Sequence, residues 1–143
     1  MPASAFAYLD SPTPVALAHR GGAAYAPNVG IENTVAAFRR AVDMGFRYLE
    51  TDVHATSDGQ LIAFHDTVLD RVSDVSGAIG DLPYDAVREV RIGGTEPIPL
   101  LAELFETFPG IRVNIDIKAD AALEPTVREV LAHGARDRVC IGS

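Results

Sequence analysis

Residues 32–55 read ENTVAAFRRAVDMGFRYLETDVHA, and two periodicities meet inside them. Val35, Phe38, Ala41 and Val42 recur at the spacing of one helix face; Asn33 or Thr34 is placed to cap the start, and Gly45 to end it. Phe46, Tyr48, Leu49 and Val53 then mark a buried strand. Upstream, Val15–Ala18 is a short continuous apolar run suited to a strand buried on both faces, and Gly21–Ile31, with Pro27, Asn28 and Gly30, reads as loop. Strand, helix and strand with a short return make a βαβ unit, whose strands should be parallel.

Outward from that unit the pattern repeats with one interruption. Asp58-Gly59 is a tight-turn signal, and LIAFHD (61–66) resumes as a strand too soon for a helical crossover, so Leu61–Phe64 reads as the return arm of a hairpin. Thr67–Gly80 reads as loop and Pro83–Arg91 as a short helix. IPLLAELFETF (98–108) is an amphipathic helix stopped by Pro109-Gly110. IRVNIDIK (111–118) is a further strand, Glu124–His133 a helix ended by Gly134, and RVCIGS (138–143) a last strand. The expectation is an α/β protein of repeated βα units with a hairpin inserted after strand 2. Residues 1–14 form an irregular N-terminal arm and residues 15–143 one domain.

The 143 residues, 48% hydrophobic and 22% charged, suit a single soluble globular domain. A net charge of -8, without any block of Lys and Arg, argues against nucleic acid as a partner. An anionic small molecule would need a local Arg, Lys or bound cation. The single Cys140 excludes an intrachain disulfide and, in its apolar run, reads as a buried inert thiol. Residues 1–14 lack the features of a signal peptide, and no apolar stretch approaches the roughly 20 residues of a membrane span, so a cytoplasmic location is expected.

Chemistry-bearing residues collect at the C-terminal ends of these strands, where parallel α/β folds build their sites. His19 and Arg20 follow the first strand, Glu50 and Asp52 lie on the second, His65 comes from the hairpin, and Asp116 and Lys118 from the IRVNIDIK strand. Glu50 and Asp52 are two apart and so share a face, a costly arrangement unless a cation binds between them. Three hard oxygen donors suit one divalent cation, Mg²⁺ or Ca²⁺, better than zinc. A lone strand-end carboxylate or histidine is more often structural; the convergence of seven complementary residues is what carries the functional reading. Asp58 belongs to the turn, His133 to a helix end, and His54 is set away from the carboxylates as structural.

AHRGG (18–22), ENTVAAFRRAVDMGFRYLETDVHATSDGQLIAFHD (32–66), IPLLAELFETFP (98–109) and VNIDIK (113–118) together resemble the glycerophosphodiester phosphodiesterase family, over residues 15–143. The resemblance implies a (β/α)₈ TIM barrel, shared with phosphatidylinositol-specific phospholipase C, and hydrolysis of glycerophosphodiesters to glycerol 3-phosphate and an alcohol. It implies His19 and His65 as catalytic residues, Glu50, Asp52 and Asp116 as metal ligands, and Arg20 and Lys118 as phosphate contacts. Two positions depart from the family pattern: Pro27 is separated from Glu32, and Asp116 stands where Glu is more usual. Such a barrel takes about 250 residues, so only about the first four βα units are expected, the N-terminal half, with open edges that favour self-association. Two other readings remain: a phospholipase D-like barrel acting on lysophospholipids, or an incomplete half-barrel that binds metal or a partner without turnover.

Overall fold

The computed structural model describes residues 5–143, so the first four residues of the expected N-terminal arm lie outside the described residues. Its main sheet is built around β2 (Tyr48–Ala55). On one edge β2 pairs in parallel with β1 (Leu17–Ala18), Ala18 opposite Leu49. On the other it pairs in parallel with β6 (Arg112–Ile117), which pairs in turn with β7 (Val139–Gly142). The hairpin strand β3 (Leu61–Ala63) runs antiparallel to β2, Val53 facing Ala63. Because Val53 also faces Ile117 of β6, β3 occupies the β1 edge beyond the point where β1 ends.

Alternation along β2 and β6 separates two environments. Leu49 and Val53 with Val113 and Ile115 pack into the principal core against Phe38 and Ala41 of α1 (Val35–Asp43), Leu101, Leu104 and Phe105 of α3 (Leu101–Thr107), and Val130 of α4 (Leu123–Ala132). The opposite face is polar in register: Tyr48 beside Arg112, Glu50 beside Asn114, Asp52 beside Asp116. Thr34, rather than Asn33, caps α1, its Oγ1 accepting from the Ala37 amide at 3.2 Å.

Three local expectations are corrected. The helix expected over Pro83–Arg91 is a single turn, α2 (Tyr84–Val87), after which the chain enters a small antiparallel pair, β4 (Arg91–Ile92) with β5 (Glu96–Pro97), turned by Gly93-Gly94. β1 is not buried on both faces: Leu17 is 43% exposed, because β1 pairs only with β2 among the described residues. Cys140 is exposed rather than buried, since β7 has β6 as its only neighbour there.

The segment between β2 and α3 carries its own core, in which Ile62, Phe64, Leu69, Ile79, Val87, Val90, Ile92 and Ile98 pack together. The described part of the arm is docked, not loose. Arg112 donates to the carbonyls of Ala7 and Asp10, the Tyr48 hydroxyl donates to that of Tyr8, and the two tyrosine rings meet edge-on at 5.3 Å. Burial pushes the Tyr8 hydroxyl up to about 12. No helix among the described residues is long and apolar enough to cross a membrane.

Candidate metal centre and active site

Glu50, Asp52 and Asp116 come together, each offering a carboxylate oxygen within 4.8 Å of the others. The same-face spacing on β2 and the direct register of Asp52 with Asp116 produce this cluster without any loop being involved. The two β2 carboxylates sit in mid-strand rather than at the strand end, because β2 runs on into the hairpin; they are level with the C-terminal ends of β1 and β6. Asp52 is 2% exposed. Burial, and then the neighbouring Asp52 charge, raise Glu50 above the usual glutamate range, although a backbone hydrogen bond from Arg20 opposes them.

Lys118 answers part of this negative charge. Its Nζ hydrogen-bonds Asp116 Oδ2 and lies 3.4 Å from Asp52 Oδ1, and the Asp116 hydrogen bond raises the ammonium above the usual lysine range. Arg20 answers the rest. Its backbone N–H donates to Glu50 Oε2 at 2.8 Å, its Nε lies 3.5 Å from Asp52 Oδ2, and its Nη1 donates to Glu32 Oε1 at 3.3 Å. Arg20 Nε is buried and makes no hydrogen bond. His19 stands at the rim, its side chain 70% exposed and Nε2 4.0 Å from Glu50 Oε2.

This geometry requires a left-handed backbone at Arg20, with φ 49°, a conformation that costs a non-glycine residue on the order of 1 kcal/mol or more. Gly21 follows with φ 78°, and a Cβ there would stand 3.0 Å from Phe38 Cδ1. The glycine thus serves close packing of the loop on α1. Asn28 braces the same loop, donating to the carbonyls of Gly21 and Ala37.

His65 arrives from the hairpin and does not touch the carboxylates directly. Its Nδ1–H donates to Asp66 Oδ1 at 2.6 Å, as an ionised carboxylate can only accept. Arg71 holds Asp66 through Nε at 2.8 Å and Nη2 at 3.0 Å, and holds Glu32 through Nη1 at 3.1 Å and Nη2 at 2.6 Å. The Arg71 hydrogen bonds keep Asp66 well below the usual carboxylate range. Burial would raise Glu32, but the Arg71 and Arg20 guanidinium groups outweigh it and Glu32 is lowered.

His54 corrects the sequence reading. By alternation it shares the face of Glu50 and Asp52, and its Nε2–H donates to the His65 carbonyl at 2.9 Å. Burial lowers its pKa. His133 does lie apart, beside Glu129 and Glu106, and Asp58 serves the turn, accepting from Thr56 and from the Tyr84 amide that starts α2. Sequence reasoning passed over Glu32, Asp66 and Arg71, and took Asn33 only as a cap. Asn33 is buried with φ 58°; its Nδ2 donates to Asp52 Oδ2 at 3.0 Å while its Oδ1 accepts from Thr51. Adjacency of Asp66 to His65 was the one signal available.

Known proteins resemble this chain in sequence and in fold. Residues 19–140 match the glycerophosphoryl diester phosphodiesterase family. A probable glycerophosphodiester phosphodiesterase 2 of Mycobacterium tuberculosis is 43% identical over 129 residues, covering 90% of this chain and 48% of that protein. The crystal structure of a glycerophosphodiester phosphodiesterase from Agrobacterium tumefaciens superposes with a TM-score of 0.79 at 28% identity, over 89% of this chain and 56% of that one. An Oleispira antarctica phosphodiesterase, solved in complex with the product sn-glycerol-3-phosphate, superposes with a TM-score of 0.75 at 27% identity, over 90% of this chain and 56% of that one. The chain therefore spans about half the length of the relatives it matches. The match over residues 19–140, which contains the carboxylate cluster, places the chain in the glycerophosphoryl diester phosphodiesterase family.

Proposed function

We propose that the chain carries the catalytic groups of a metal-dependent hydrolase that converts glycerophosphodiesters to glycerol 3-phosphate and an alcohol. The observation that carries this reading is the convergence of Glu50, Asp52 and Asp116 on one polar sheet face, flanked by His19, Arg20 and Lys118. We read the parallel strands β1, β2, β6 and β7 as successive strands of a (β/α)₈ barrel, with the hairpin inserted after the second.

The residues present fit a divalent cation. The converging donors are all carboxylate oxygens, which suits Mg²⁺ or Ca²⁺, and Glu50 is raised in pKa even with Lys118 and Arg20 beside the cluster. Bound there, such a cation would supply positive charge to the phosphate oxygens in the transition state. Arg20 and Lys118 hold and neutralise the phosphate from either side. His19 accepts the proton of the attacking hydroxyl as its oxygen bonds phosphorus. The P–O bond to the departing alcohol breaks, and protonated His65 gives its Nε2 proton to that alcohol oxygen. Attack by water gives glycerol 3-phosphate directly, whereas the substrate's own 2-OH gives a cyclic phosphate, which a second attack by water opens as the P–O bond to the 2-oxygen breaks.

The test is release of glycerol 3-phosphate from glycerophosphocholine by this chain, with Mg²⁺, with Ca²⁺ and with EDTA. Metal-dependent release is expected, and His19→Ala should lower turnover about 10²- to 10⁴-fold. No turnover from a folded chain that binds the cation would overturn the reading for this chain. Turnover confined to lysophosphatidylcholine would replace the substrate class with lysophospholipids.

A further inference from the structure

We propose that Arg71 is a positioning residue that sets two sides of the site at once: through Asp66 it fixes the His65 imidazole, and through Glu32 it fixes the Arg20 guanidinium. The inference rests on the reading of His65 and Arg20 given above and concerns a residue to which that reading gives no contact with substrate or metal.

The geometry is specific. One edge of the guanidinium, Nε and Nη2, grips both oxygens of Asp66; the other, Nη1 and Nη2, grips both oxygens of Glu32. Isolated surface ion pairs contribute little, and Arg71 is 47% exposed, so attraction alone would not make this contact matter. Two fork contacts on one planar group restrict orientation as well as distance, and a lysine ammonium reproduces neither. Asp66 then has its oxygens committed, Oδ1 shared between Arg71 Nη2 and His65 Nδ1. That fixes the imidazole with its proton on Nδ1 and leaves Nε2 as the reacting nitrogen. Glu32 has the corresponding duty toward Arg20, whose Nη1 it accepts at 3.3 Å. The insert between β2 and α3 thus supplies Arg71 from a segment folded on its own core, 39 residues along the chain from Glu32.

The experiment reads the ring nitrogens of His65 by ¹H–¹⁵N NMR in the 143-residue chain without substrate, for the wild type, Arg71→Ala and Arg71→Lys. The wild type should carry the neutral-form proton on Nδ1. Both variants should redistribute it toward Nε2, and ethylguanidinium should restore the wild-type pattern in Arg71→Ala. An unchanged His65 tautomer in a folded Arg71→Lys overturns the proposal, as does a wild-type imidazole protonated on Nε2. Asp66→Asn, which keeps the side chain's size, provides the same readout should Arg71→Ala fail to fold. Where the chain turns over glycerophosphocholine, kcat in Arg71→Lys should fall about 10- to 100-fold, the cost of a misplaced catalytic group; Arg88→Ala, an exposed arginine elsewhere on the insert, should leave it unchanged. Because the NMR readout needs no turnover, an inactive wild type would count against the proposed function and leave the Arg71 result standing on its own.

Discussion

Asn33 holds the deepest of the candidate metal ligands. Asp52 is buried, and its Oδ2 accepts from Asn33 Nδ2 while Oδ1 faces Lys118, so both oxygens are oriented before any ligand arrives. Groups that orient a metal ligand are worth about 10- to 100-fold in metal affinity. Asn33→Gly tolerates the φ of 58° but removes the amide, and should weaken Ca²⁺ or Mg²⁺ binding by that factor in calorimetry while the fold is kept. Equal affinity would mean that Asn33 serves only the turn. Asp66 gives a prediction in pH. Arg71 holds its folded-state pKa below the ordinary value of 3.8, so the stability it contributes is present above that value and is lost as pH falls. Asp66→Asn should therefore cost about 1 kcal/mol or less near neutrality, and the gap in urea midpoint should persist through pH 4 and close only below it. Spacing along β2 made Glu50 and Asp52 legible in the sequence, because strand alternation is a local rule. It could not show that Arg71 meets Glu32, since a loop arginine and a loop glutamate 39 residues apart carry no period.

At the scale of elements, the segments that pack a long face were the readable ones. α1, β2 and β6 bury Phe38, Leu49, Val53, Val113 and Ile115 at the intervals their geometry demands. β4 and β5 are two residues each, too short for alternation to register, and only Gly93-Gly94 between them marked a turn. The insert's core was invisible for the same reason: Leu69, Ile79, Val87 and Ile98 come from irregular chain and brief elements. That core is what carries Arg71, so its packing has a consequence at the site. Leu69 is fully buried, and Leu69→Ala should cost about 2–5 kcal/mol in denaturant unfolding, with hydrogen exchange in the insert rising more than in β2 or β6. Uniform acceleration of exchange across the sheet would show that the insert and the sheet unfold as one unit.

Across the whole molecule, the polar face of the sheet is closed at one end by residues 6–10 and open at the other, where the carboxylates lie. Apolar side chains are exposed elsewhere. On α4, Leu123, Val127 and Leu131 recur every fourth residue and face outward, Leu131 at 56% exposure; Ile141 of the edge strand β7 is exposed, and so is Leu17 of β1 at the opposite edge of the sheet. A helix stripe and strand edges of this kind are surfaces that promote association in general. Here the outer hydrogen-bonding groups of β1 and β7 have no strand partner among the described residues, and association with a second copy of the chain is the outcome to test. Light scattering should show an average mass that rises with concentration. Val127→Lys with Leu131→Lys keeps helix propensity and adds charge to the stripe, and should shift the chain toward the monomer mass. The carboxylate cluster belongs to β2 and β6, so its cation affinity should be unchanged in that variant. A wild-type mass that stays monomeric at every concentration would mean that these surfaces are too small or too divided to associate; a variant that associates as strongly as the wild type would move the contact from α4 to the strand edges.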